Sequence, residues 1–239
     1  MDATRDAGLL LAIDTATATA VVALGDAGGT LRAEDRWRAG FRHGEELLAR
    51  IDGLLASVSA SPDDVTGVVV GTGPGAFTGM RVGLATAKGI AHGLRVPLVG
   101  VPTGSTLLAA AGWAGAGAAA RTGAPAAAIP LALLLPAGPS DRVLVHAGVT
   151  VLLPAGTEPT LPPGTAVVAV DLEDRADADA SALGARAVAG LGAALLRIGA
   201  DRLAAGDADD VALVVPEYVT LPRGVREQVG EVAWSRDRR

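Results

Sequence analysis

Cysteine is absent from the chain, which excludes disulfides, thiolate metal sites and a cysteine nucleophile. Aromatic side chains are scarce, with one Tyr, two Phe and three Trp in 239 residues. A basic, aromatic platform for gripping nucleic acid is therefore not offered, and a pI near 5.0 with net charge −6 points the same way. Lysine occurs once, as Lys88, against nineteen arginines; with so much Ala and Gly this reads as GC-rich coding rather than function. The three histidines, His43, His92 and His146, lie far apart and have no metal-ligand spacing. No Gly-x-Ser-x-Gly elbow is present, and Ser105 in PTGST lacks that context. No acid occurs between Asp64 and Asp141, whereas Arg81, Lys88, Arg95 and Arg121 do. That stretch suits an anion but has no carboxylate to hold a metal or take a proton.

Half of the residues are apolar, enough for the core of one large domain or two small ones. Two uncharged windows, Val96 to Ala120 and Thr122 to Ser140, exceed the ~18 residues that flag a membrane span. The first is mostly Ala, Gly, Ser and Thr, with Pro97 and Pro102, and the second holds Pro125, Pro130, Pro136 and Pro139. Prolines this dense break a helix, so no membrane association is expected. The start, MDATRDAGLL, has no basic-then-apolar signal region, and a cytoplasmic protein is expected.

What is present centres on Val68 to Gly83, VVVGTGPGAFTGMRVG. Three valines predict a buried strand, four glycines a close backbone approach, and the pattern turns helical from about Met80 to Leu94. Such a strand–loop–helix aims N–H groups at a bound anion, or serves only a tight turn and close packing. The Walker pattern fails, because Lys88 lies well inside the helix. Gly71, Gly73 and Ala76 meet the dinucleotide fingerprint loosely, but the acid it wants roughly 20 residues on is missing.

Before this loop, Leu9–Ile13, Thr19–Leu24 and Thr30–Arg36 predict an antiparallel meander. Asp14 ends its first strand, either facing a phosphate or metal or capping the turn locally, and the cap is favoured. Leu47, Leu48, Ile51, Leu54, Leu55 and Val58 fall on one face of a helix from Gly44 to Val58. In the helix after the loop, Gly79, Gly83, Ala87 and Ala91 form a small-residue stripe, for its own sheet or for another chain's helix. A strand within Leu94–Val101 and an Ala/Gly helix from Pro102 to about Ala120 follow. Ile129–Leu135, Arg142–His146, Thr150–Leu153 and Ala166–Val170 read as strands. A helix capped by Ser181 is expected to bury Leu183, Ala187, Leu191, Ala194, Leu195 and Ile198, and Val211–Val215 to be a last strand. The expected division is 1–102, 103–222 and a polar, mobile tail at 223–239.

LLAIDTATATAVVAL, FRHGEELLARIDGLL and above all GTGPGAFTGMRVGLATAKGIAHGLRVPLVGVPT closely resemble the TsaB (YeaZ) family, over about Leu9 to Thr103. The family signature falls on Gly73, Pro74, Gly75, Phe77, Thr78, Gly79, Arg81 and Gly83. The resemblance implies an α/β fold of the actin and sugar-kinase ATPase kind (ribonuclease H-like), with two related α/β domains and mixed sheets. It implies a partner of TsaD in making threonylcarbamoyladenosine beside the tRNA anticodon, assisted by the ATPase TsaE, touching tRNA only indirectly. It also implies docking through helices carrying Leu47, Leu48, Ile51, Gly83, Ala87 and Ala91, and a homodimer when the chain is alone.

Where TsaD-type paralogues carry a metal-binding histidine pair, this chain reads Pro102-Thr103-Gly104-Ser105-Thr106. Asp14-Thr15 lacks the glycine that working ATPases of the fold place after the aspartate. The expectation is thus a non-catalytic scaffold with no cofactor or metal of its own, a nucleotide at the partner junction being left open. The competing readings are a nucleotide-binding phosphotransferase and, from inherited naming alone, a glycoprotease-like peptidase. The second half lacks the family's Asp-Ala-Arg and Glu-Val-Tyr, but keeps the closing Pro-x-Tyr as Pro216 and Tyr218.

Overall fold

The computed structural model describes residues 8–39, 43–122 and 129–219. Its first sheet contains β1 (Leu9–Asp14), β2 (Thr19–Asp26), β3 (Leu31–Arg38), β4 (Val65–Gly71) and β5 (Leu98–Val101) in the order β3-β2-β1-β4-β5. β1, β2 and β3 form the expected antiparallel meander, while β1, β4 and β5 run parallel. β1 is central, and all six of its residues are buried.

Alternate residues of a strand point to opposite faces, and both faces of β1 are covered. Leu9, Leu11 and Ile13 pack with Leu47 and Ile51 of α1 (His43–Ser57) and with Leu84 and Ala87 of α2 (Phe77–Leu94). Leu10 and Ala12 pack with Leu191, Leu195 and Leu196 of a helix that returns from the far end of the chain. Covering both faces is why LLLAI is continuously apolar rather than alternating. Each fully buried Leu contributes about 1.5–3 kcal/mol, so this strand anchors the first half.

α3 (Thr103–Thr122) leads to a second sheet of β6 (Leu131–Pro136), β7 (Arg142–His146), β8 (Val149–Leu153) and β9 (Ala166–Ala169), in the order β8-β7-β6-β9. The plan of the first sheet recurs: an antiparallel meander, then a strand parallel to its first member. Leu133, Leu135, Val143, Val145 and Val168 share one core with Leu10, Val69 and Val99, sealing the two halves together.

Two expectations are corrected in the second half. The helix attributed to a Ser181 cap starts earlier, at α4 (Ala178–Ala189), where Asp177 Oδ accepts the Ala180 N–H at 2.7 Å. Its pattern then divides at Gly190 into α4 and α5 (Leu191–Ala204), bent by 54°. The bend has a packing reason. α4 lies on β9 and α3, and α5 crosses to the first sheet, so Ala187, Leu191, Ala194 and Leu195 are all buried although the axis turns. Leu183 and Ile198 are only partly buried at its margins.

The last predicted strand, Val211–Val215, is a turn. Asp210 accepts the Ala212 N–H through its side chain and the Leu213 and Val214 N–H groups through its carbonyl. Val214 tucks into the core with Val211 partly buried beside it, while Leu213 and Val215 are exposed. β propensity described the residues and not their pairing. Among the described residues no single helix is long and apolar enough to cross a membrane. The tail at 223–239 lies outside the described residues.

Candidate functional site

The carboxyl ends of β1, β4 and β5 share one edge of the first sheet, the edge where α/β sheets bind ligands. β1 delivers Asp14 and Thr15, β4 runs into the glycine loop ahead of α2, and β5 runs into Thr103 at the start of α3. Asp14 is fully buried. One carboxylate oxygen accepts the Ala16 N–H at 2.8 Å, and the other accepts the Thr103 hydroxyl at 2.7 Å. The Thr103 oxygen in turn accepts the Gly73 N–H at 3.0 Å. Burial pushes the Asp14 carboxyl up to about 6, against the opposing pull of its two donors. A Cβ on Gly71 would stand 1.8 Å from Asp14 Oδ2, so glycine is what lets the carboxylate lie against β4.

The favoured local cap is therefore present, and a side-chain relay is added to it. Thr103 had no signal beyond opening a helix after a strand; its position at the third parallel strand end is what makes it a partner. The loop is tied down in the same way. Thr72 N–H goes to Val101 O, Ala76 N–H to Ala16 O, and the Thr15 hydroxyl to Gly79 O. Three loop N–H groups, those of Thr72, Gly73 and Ala76, serve this chain's own acceptors, as the tight-turn alternative has it.

The signature residues meet the end of the chain. Arg81 Nε donates to the Tyr218 hydroxyl at 2.8 Å, its guanidinium lies 3.8 Å from the Phe77 ring centroid, and the two rings are 5.1 Å apart. Glu217 N–H reaches Thr72 O, and the Glu217 carboxylate accepts the Thr150 hydroxyl. Pro74, Gly75, Phe77 and Met80 border a crevice of about 30 Å³ with Pro136 and Val143 of the second half. Pro74, Gly75, Phe77 and Arg81 thus belong to an internal joint between halves. Gly73 and Gly79 are buried within it, and Thr78 is exposed beside it.

The basic field is dispersed. Lys88 Nζ bonds Ala212 O, Arg95 caps α2 in the left-handed region at φ 57°, and the Arg121 side chain lies outside the described residues. The same holds for the His43 side chain; His92 is exposed, and His146 Nδ1 sits 3.1 Å from Leu131 O. No group of three or more His, Asp or Glu among the described residues is placed to hold a metal.

The small-residue stripe turns inward. Gly79, Gly83, Ala87 and Ala91 are buried, and a Cβ on Gly83 would come within 2.2 Å of Thr15 Oγ1. Leu47 and Ile51 are likewise at most 5% exposed, so neither they nor Gly83, Ala87 and Ala91 form an open docking face. Small residues are needed there because α2 rides close on β1. Of the named helix residues Leu48 is the exposed one, at 60%. It borders an apolar groove of about 270 Å³ between α1 and α2, with Leu55, Ile90 and Leu94.

Residues 38–154 match the TsaD family, described as tRNA N6-adenosine threonylcarbamoyltransferase. The chain is 37% identical over 98 residues to the Escherichia coli tRNA threonylcarbamoyladenosine biosynthesis protein TsaB, covering 41% of this chain and 42% of that one. Against the Bacillus subtilis protein of the same name it is 34% identical over 100 residues, covering 42% and 43%. Over that shared stretch the chain is similar to the TsaB (YeaZ) family. The solved YeaZ from Pseudomonas aeruginosa superposes with a TM-score of 0.63 at 23% identity, over 88% of this chain and 99% of that one, and has the same fold. The TsaB match spans less than half the length of these curated relatives. The two mixed sheets, each an antiparallel meander plus a parallel strand, are thus those of the YeaZ fold.

Proposed function

We propose that the chain acts in tRNA threonylcarbamoyladenosine biosynthesis as a non-catalytic subunit that docks and supports a TsaD-type transferase in the cytoplasm. The observation that carries this is its 34–37% identity, over about a hundred residues, to proteins named for that pathway. The docking surface is the groove between α1 and α2, with Leu48 at its rim, and the buried stripe stiffens α2 behind it. A homodimer of the isolated chain uses the same groove, and TsaE and tRNA are met only through the complex.

The state of Asp14 supports the non-catalytic part. Its two oxygens are engaged by Ala16 and Thr103, and it has no exposure to a ligand. On this reading residues 1–102 present the partner, 103–222 brace the first sheet through α5, and 223–239 is an accessory tail. Any nucleotide belongs to the partner junction.

Mixing the purified chain with the TsaD-type protein of the same cell and running a sizing column tests the docking. Co-elution is expected, and separate elution of the two at micromolar concentration overturns it. Loss of threonylcarbamoyladenosine from tRNA when the gene is deleted, read by nucleoside mass spectrometry, tests the pathway.

A further inference from the structure

A cleft of about 480 Å³ opens between the first sheet and α4, sharing no lining residue with the glycine loop. Thr19 and Arg36 line it from β2 and β3, Asp171 and Glu173 from just past β9, and Ser181 and Val188 from α4. Asp171 therefore stands beyond the carboxyl end of a parallel strand, where α/β sheets place ligands. It is a non-glycine residue at φ 57°, and its Oδ2 accepts the Ala18 N–H at 2.6 Å, which fixes the side chain between the two halves.

The two opposite charges of this cleft, Asp171 and Arg36, are not paired with each other among the described residues. Among the described residues Asp171 has no ion pair, and its like-charged neighbour Glu173 turns to Arg38 at 3.1 Å. Arg36 has only a 3.5 Å approach of its Nε to Glu34, and no ion pair joins Arg36 to Asp171. The Thr19 and Ser181 hydroxyls have no described hydrogen bond as donors. A carboxylate with no direct ion pair and a guanidinium engaged only at its Nε edge thus stand, among the described residues, on two walls of one cavity, with Val188 and Leu172 supplying apolar surface. Half-burying the Asp171 carboxylate with no direct cation partner is unfavourable for folding, and a ligand ammonium set against it offsets that cost while the ligand carboxylate meets Arg36.

We propose that this cleft binds a free α-amino acid, its ammonium on Asp171 Oδ1, the oxygen not taken by Ala18, and its carboxylate on the Arg36 guanidinium. The two hydroxyls serve the carboxylate or a polar side chain, and the volume lies in the range of small-molecule sites. A one-sign ligand satisfies only one wall. This site is independent of the docking reading, because its test uses the isolated chain.

Thermal-shift screening of the full chain against free L-amino acids, followed by calorimetry on the strongest, tests it. At least one is expected to bind. Its N-acetyl derivative (no cation) and its amide (no carboxylate) should each bind about tenfold or more weakly. Asp171→Asn, which keeps an acceptor for Ala18, and Arg36→Gln should each weaken binding as much, with unchanged circular dichroism. If Asp171→Asn does not fold, Arg36→Gln and the two derivatives decide. The proposal is overturned if no amino acid binds at millimolar concentration, if the derivatives bind as well as the parent, or if binding survives Arg36→Gln.

Discussion

The Thr103 hydroxyl donates to the buried Asp14 carboxylate at 2.7 Å while accepting the Gly73 N–H at 3.0 Å, so one side chain joins three strand ends. This relay holds a carboxylate away from water, and that has a consequence for pH. The folded carboxyl titrates near 6 against an ordinary 3.8, so the folded state binds the proton more tightly than the unfolded one. Its favourable contribution is fully present below about 3.8 and is lost as pH rises through about 6.

Asp14→Asn removes that titration. Between about pH 4 and about pH 7.5 the wild type should lose roughly 2.5 kcal/mol of stability relative to the variant, from this group alone. Urea unfolding of both proteins across that range checks it. Asp171 and Glu34, also raised by burial, titrate in both proteins and cancel in the difference. Parallel stability curves would refute it.

The first half was legible because its signals were redundant. The run Leu9–Ile13, the spacing of Leu47, Leu48, Ile51 and Leu55, and the glycines after Val70 each specify an element, and the elements were found. Asp14 was readable as a cap because its donor, Ala16, is two residues away. Its other donor is 89 residues away, and nothing in Thr103 itself announces the pairing. The inward turn of Gly83 and Ala87 was one of two readings: a stripe of small residues says that something approaches closely, and packing on its own sheet is the one the structure has. At Val211–Val215 the side chain of Asp210 decided against the strand, and at Gly190 one helical period covered two axes.

Gly83→Ala puts a methyl within 2.2 Å of Thr15 Oγ1, on a side chain held by its bond to Gly79 O. Overpacking at such a contact should destabilise by about 1–3 kcal/mol. Thr15→Ala removes the obstructing atom, so the double variant should be less destabilised than the two single losses added together. Denaturant midpoints of the four proteins measure this coupling. Strict additivity would show that α2 simply shifts away.

Arg81 stacks on Phe77 and bonds Tyr218, so one side chain of α2 fastens the ring end of the last described segment. Tyr218→Phe, which leaves the ring and removes the hydroxyl, should cost about 0.5–1.5 kcal/mol. Tyr218→Ala should cost more, since the ring contact of Phe77 is lost as well. Limited proteolysis should then cut the chain after Leu213 sooner than in the wild type. Unchanged cleavage would mean that the Glu217 bonds to Thr72 and Thr150 hold the segment without Arg81.

Leu48 separates docking from folding in a way its neighbours cannot. Leu47 and Ile51 are core residues, so altering either weakens the fold and the partner surface together. Leu48 is 60% exposed at the edge of the α1–α2 groove. Leu48→Asp should therefore shift the unfolding free energy by no more than about 0.5 kcal/mol. If the groove is the docking surface, the same change places a charge in an apolar contact. Affinity for the TsaD-type partner should fall about tenfold or more, with self-association reduced in parallel. Calorimetry against the partner and sedimentation of the chain alone measure the two effects. Full affinity in a normally folded Leu48→Asp protein would move the interface away from the groove. Loss of partner binding with self-association intact would instead assign the two contacts to different faces of the chain.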